Sequence, residues 1–76
     1  MKTINISLNS IEKVKAFVNA VATCESDFDL SSDRYVVDAK SIMGIFSLDL
    51  AKILKLDIHD EAAAAKIMPE LEKFVV

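Results

Sequence analysis

The chain is poor in the residues from which most active sites are assembled. It has one cysteine, one histidine, one glycine, one proline and no tryptophan. A single thiol, Cys24, excludes an internal disulfide and a cysteine-cluster metal site, and it suits a reducing cytoplasm. A single glycine, Gly44, gives no support to a glycine-rich loop that cradles phosphates. With His59 as the one imidazole, a metal site would fall to carboxylates, whose spacing matches no calcium loop. No metal and no cofactor is therefore expected. No apolar run approaches the roughly 18 residues of a membrane span, and Met1 to Ile6 alternates polar and apolar instead of forming a signal-peptide core. A basic excess is missing too. The net charge is −3 at pH 7, which argues against the positive footprint of nucleic-acid binding. The acids gather at residues 25–38 and 57–61 while the bases are scattered. A protein partner or a small ligand fits this surface better than a polyanion.

What the chain does have is apolar material in regular patterns. At 76 residues, 53% of them hydrophobic, residues 1–76 make one domain that can bury a core without staples. Ile4, Ile6 and Leu8 alternate with Asn5 and Ser7, the period of a half-buried strand. Asn9 or Ser10 offers a helix cap, with Glu12 placed three residues after Asn9 as in a capping box. Ile11, Val14, Val18 and Val21, with Phe17 beside them, form one helix face. Phe28 and Leu30 mark a second strand. Ser31-Ser32-Asp33-Arg34 reads as a polar break of hairpin length, and Tyr35, Val37 and Ala39 mark a third strand. After a short helix beginning at Ser41, Leu54, Leu56 and Ile58 mark a fourth strand. Asp60 caps a last helix with Ala63, Ile67, Leu71 and Phe74 on one face, and Pro69 should kink or split it. The resulting order is β-α-β-β-α(short)-β-α, an α+β two-layer sandwich with helices stacked on one face of a mostly antiparallel four-stranded sheet. A ferredoxin-like arrangement and an open-faced sandwich both fit this order, and the short helix before the last strand favours the second.

Few residues are candidates for chemistry. Ser41 at a helix start is either a cap or a phosphorylation site, and the two are compatible. A phosphate there would meet free N–H groups, with Lys40 beside it. Ile42, Met43, Ile45 and Phe46 are either core or a docking patch. Met43 and Phe46 share a face, while Ile45 and Leu48 read as core. Gly44 within so short a helix implies an irregular helix or a close backbone approach. Cys24 at the end of the first helix reads as inert. His59 reads as a loop or cap residue; an active role would need an orienting group, and Asp57, Asp60 and Glu61 are the acids near it in sequence.

The segment Lys40-Ser41-Ile42-Met43-Gly44-Ile45-Phe46-Ser47-Leu48 closely resembles the regulatory-serine motif of HPr, the phosphocarrier family of the bacterial sugar phosphotransferase system. The order of elements agrees with that family's open-faced sandwich, with Lys2 to Leu8 and Asp27 to Leu30 as the first two strands. In the family, a histidine at the start of the first helix relays a phosphoryl group from Enzyme I to sugar transporters, within a Gly-(hydrophobic)-His-(Ala/Thr)-Arg-Pro-Ala motif. The corresponding stretch here is Asn9-Ser10-Ile11-Glu12-Lys13-Val14-Lys15-Ala16, with no histidine, arginine, proline or glycine. Ser10 falls nearest the histidine position, and Glu12 or Lys13 near the arginine. The resemblance then implies a paralogue of the catabolite-control kind, a phosphoacceptor and not an enzyme. An HPr kinase-type enzyme would phosphorylate Ser41, and a LacI-type repressor would dock on Lys40, Ile42, Met43, Phe46 and Lys52, with phosphotransferase components as further partners. Three alternatives stand beside it: phosphoryl relay through His59, a ligand-binding or structural module that keeps only the fold, and self-association of two copies through the Met43 and Phe46 patch.

Overall fold

The computed structural model of the protein describes residues 2–76. Its elements are β1 (Lys2–Ile6), α1 (Ile11–Ala22), β2 (Phe28–Ser32), β3 (Tyr35–Asp38), α2 (Ile42–Phe46), β4 (Leu54–Ile58) and α3 (Glu61–Leu71), followed by a 3-10 turn over Glu72–Phe74. This is the order expected. The strands form one antiparallel sheet in the order β1-β4-β2-β3. Period-two alternation decides which face is buried. Leu54, Leu56 and Ile58 of β4 point into the core, with Ile6 of β1 and with Phe28 and Leu30 of β2, while Lys55 faces water. The helices cover that inner face, and the outer face stays open.

Each helix docks through a narrow apolar stripe. On α1 the buried residues are Val14, Phe17 and Val21. Phe17 therefore centres the stripe, Val18 is half-buried at its margin, and Ile11, expected on that face, is exposed. The Phe17 ring meets Phe74 edge-on at a centroid distance of 5.9 Å and an interplanar angle of 83°, a favourable quadrupole arrangement. Ser10 is the cap of α1, its Oγ accepting the Lys13 N–H at 3.2 Å. With Ser10 as the cap, the third helical position is Lys13 and Glu12 falls one position too early to close a capping box, so the box expected from Asn9 does not form. On α3, capped by Asp60, the buried residues are Ala63, Ala64, Ile67 and Leu71. The helix is not split at Pro69: it runs on to Leu71, and the backbone tightens to 3-10 only at Glu72. The proline ring removes one donor, and the core anchors on either side of it, Ile67 and Leu71, hold the turn in place.

The β2–β3 hairpin is tighter than its polar composition suggests. Ser31 and Ser32 belong to β2, paired with Val36 and Tyr35, so the turn is only Asp33-Arg34. Asp33 there has φ of 55°, the left-handed region that Asp tolerates better than most side chains. At the far side of the sheet the chain end covers β1: Val75 bridges to Ile6, and the Val76 N–H donates to the Asn5 carbonyl at 3.1 Å. No helix among the described residues is long and apolar enough to cross a membrane.

Candidate functional site

The segment from Lys40 to Leu48 lies at one end of the sandwich, between β3 and the turn leading to β4. A short helix has too little internal hydrogen bonding to stand alone, and α2 is fixed by its anchors. Ile45 is fully buried, and Leu48 just beyond it nearly so. Ser41 is the cap, in extended backbone, with its Oγ accepting the Gly44 N–H at 3.2 Å. At the other end the Ser47 Oγ–H donates to the Gly44 carbonyl at 2.5 Å. A Cβ on Gly44 would lie 3.2 Å from the Val37 Cβ and 3.3 Å from the Ser41 Oγ. Both neighbours are side-chain atoms that would have to give by a few tenths of an ångström, so the glycine eases the close packing of α2 on the Val37 side chain and does not serve a close backbone approach.

Anchoring Ile45 inward turns the neighbouring residues outward. Met43 is 77% exposed and Phe46 43% exposed, and Ile42 is half-buried. Ser41 itself is exposed. A modifiable hydroxyl is thus flanked by an adaptable thioether and an aromatic ring on one small surface. The question whether Met43 and Phe46 are core or surface is settled in favour of surface.

The two lysines named beside this surface are otherwise engaged. The Lys40 ammonium donates to the Cys24 carbonyl at 2.6 Å and lies 5.7 Å from the centre of the Phe28 ring. It ties the end of α1 to the sheet and does not stand over Ser41. Lys52 reaches the hairpin turn and pairs with Asp33 at 2.9 Å. Its pKa is raised, first by the hydrogen bond to the Asp33 carboxylate and then by that group's charge. Cys24 is half-buried and follows the α1 cap, Thr23.

Ser10, at the position that the resemblance assigns to the family's histidine, is half-buried and occupied with its cap bond, beside exposed Glu12 and Lys13. His59 sits elsewhere, on the open face of the sheet. Its Nε2 is 2.7 Å from Asp29 Oδ2. The orienting acid is thus Asp29 from β2 and none of the acids adjacent in sequence. Asp57 instead accepts the Thr3 hydroxyl, and Asp60 accepts the Ala62 N–H and the Ser26 hydroxyl. Asp29 could be found only from the strand register, in which it faces Asp57, putting it diagonally across from His59. The same register lines up Asp57, Asp29 and Asp38 across β4, β2 and β3. Asp27 and Asp38 share the shallow hollow beside His59. These carboxylates oppose an incoming phosphoryl group. Among the described residues no group of three or more His, Cys, Asp or Glu side chains is placed to hold a metal ion.

Residues 12–76 match a family model described as the PTS HPr component phosphorylation site. The match begins at Glu12, so β1 and the Ser10 cap lie outside it. Among solved structures, the chain is similar to HPr-C-His from Thermoanaerobacter tengcongensis, with a TM-score of 0.75 and 29% identity over 93% of this chain and 90% of that one. It is also similar to a phosphocarrier protein HPr from Bacillus anthracis str. Ames, with a TM-score of 0.72 and 26% identity over 99% of this chain and 94% of that one. No curated protein matches significantly.

Proposed function

The chain belongs to the HPr family of the phosphotransferase system, and from that premise we propose that it is a regulatory member, phosphorylated on Ser41 and read by a protein partner through the α2 surface. The observation that carries this reading is the exposure of Ser41, Met43 and Phe46 together on a helix whose one buried residue is Ile45. A kinase transferring the γ-phosphoryl group of ATP to Ser41 Oγ needs that hydroxyl accessible. The product is a stable ester at the start of α2, where the phosphate adds about two negative charges and three acceptor oxygens. A repressor of the LacI type is the partner the family resemblance suggests, with an apolar contact at Met43 and Phe46 and a cation of its own for the phosphate. The chain's Lys40 and Lys52 are tied to Cys24 and Asp33, so they contribute by repositioning or not at all. The protein acts as an acceptor in this scheme and not as a catalyst, in a cytoplasmic setting.

The absence of relay chemistry supports the same reading. Residues 9–16 contain no histidine, and Ser10 there would give an ester unsuited to reversible transfer. His59 is the second reading, favoured by one observation, its contact with Asp29, and opposed by the carboxylates around it. Incubation with an HPr kinase and ATP, followed by mass spectrometry of the folded protein, tests the proposal. A single phosphate on Ser41, lost in Ser41→Ala, is expected. An unmodified Ser41 would remove the basis of the proposal.

A further inference from the structure

The described residues include three that carry sulfur, and the fold treats them differently. Met68 on α3 is half-buried and packs against the core. Cys24 is half-buried and packs against it as well. Met43 takes no part in the core, and at 77% it is the most exposed large apolar side chain among the described residues. Cores use methionine to fill irregular gaps, but Met43 fills none. Ile45 is the one buried residue of α2, so the position of the helix does not depend on what residue 43 carries. The cap bond of α2 runs from the Gly44 N–H to the Ser41 Oγ and does not involve the Met43 side chain either. Oxidation of a methionine follows its exposure, and the product is a polar, chiral side chain in place of a flexible apolar one.

We propose that Met43 is a redox modification site, at which oxidation by a hydroperoxide lowers the phosphorylation of Ser41. The inference rests on the reading of Ser41 and the α2 surface given above. The step is a two-electron oxygen transfer. A lone pair of the thioether sulfur attacks one oxygen of the hydroperoxide, the S–O bond forms and the O–O bond breaks. The sulfur is oxidised to the sulfoxide and the peroxide is reduced. The proton on the transferred oxygen passes to the departing one, which leaves as water or an alcohol. A methionine sulfoxide reductase reverses the step, its two thiols becoming a disulfide and the oxygen leaving as water. In the free protein the new S–O group is hydrated, so the fold bears no cost. An enzyme that closes over the Ser41 hydroxyl meets Met43 two residues further on, and both residues are exposed. The S–O group must then lose its water without a partner prepared for it, which is unfavourable. The modification thus changes what α2 presents while leaving α2 in place.

Timed treatment of the full, folded chain with hydrogen peroxide, followed by dithiothreitol, tests the inference. Dithiothreitol returns reversibly oxidised Cys24 to the thiol and leaves sulfoxides in place. Peptide mass spectrometry should find Met43 oxidised well before Met68. With an HPr kinase and ATP, kcat/KM for Ser41 phosphorylation should fall about tenfold in the oxidised chain. It should recover after treatment with both methionine sulfoxide reductases, one for each sulfoxide epimer, and the thermal melt of the oxidised chain should match that of the untreated one. Met43→Leu retains Met1, Met68 and Cys24 but has no sulfur at position 43, so peroxide should leave its rate where it stood before treatment. Oxidation of Met68 ahead of Met43, or an oxidised chain phosphorylated at the untreated rate, would overturn this inference and leave the Ser41 reading standing. So would a loss of rate that Met43→Leu reproduces or that a lowered melt accompanies. An untreated, folded chain that the kinase does not modify would overturn both.

Discussion

Three side chains show how much of this protein rests on individual residues. Phe17 is fully buried and set edge-on against Phe74, which joins α1 to the C-terminal turn. Phe17→Ala should cost about 3–5 kcal/mol, a large share of the roughly 5–15 kcal/mol that holds a small domain together. Urea denaturation should find the variant largely unfolded at 37 °C or close to it. The Ser41 oxygen that caps α2 is also the atom proposed to take the phosphate. Ser41→Ala should lower stability by about 1 kcal/mol through the lost cap, whereas Ser41→Asp keeps an acceptor for the Gly44 N–H and should stay near wild type. Lys52 gives a pH signature of known sign. Its pKa is raised in the folded protein above the ordinary 10.5, so its pairing with Asp33 contributes fully below that value and is lost as pH rises through the raised one. The pair is exposed, and the contribution is small. Melts of wild type and Lys52→Met should differ slightly at neutral pH and low salt, and converge on the alkaline side.

At the scale of elements, the short helix is the informative one. α2 lies against β3 because Gly44 leaves room for Val37, so Gly44→Val should separate the two and disturb the Ser41 cap at once. Overpacking of this kind typically costs about 1–3 kcal/mol, and hydrogen exchange should show the Gly44 and Ile45 amides losing protection before those of β4. The boundaries of elements were legible in the sequence where a cap has a mechanism. Ser10, Ser41 and Asp60 each precede an apolar periodicity, and each caps its helix. The sequence was less clear where tertiary packing overrode a local pattern. Ile11 keeps the helical spacing but lies outside the stripe centred on Phe17, so it is exposed. Ser31 and Ser32 look like loop residues, yet the tight turn at Asp33 recruits them into β2. Pro69 is an expected breaker that core contacts on both sides carry through.

For the whole molecule, alternation and cap signals sufficed to order the elements, and the family match and its solved relatives agree with that order. The candidate surface was legible in part. The serine, methionine and phenylalanine came from one contiguous segment, whose exposure follows from Ile45 being its anchor. The lysine partners did not, because a side chain as long as Lys40 or Lys52 binds wherever the fold brings an acceptor, here Cys24 and Asp33. Asp29 beside His59 was hidden for a related reason, since strand register joins residues that the sequence keeps thirty positions apart. The fold thus preserves a family architecture while residues 9–16 hold no histidine, and the proposed function accordingly rests on the α2 surface. The most direct test presents the same folded protein with both phosphoryl donors, ATP with an HPr kinase and phosphoenolpyruvate with Enzyme I, and determines the acid stability and position of any phosphate gained. An acid-stable phosphate on Ser41 from the first reaction and none from the second is the predicted result. An acid-labile phosphate on His59 with Ser41 untouched would contradict it.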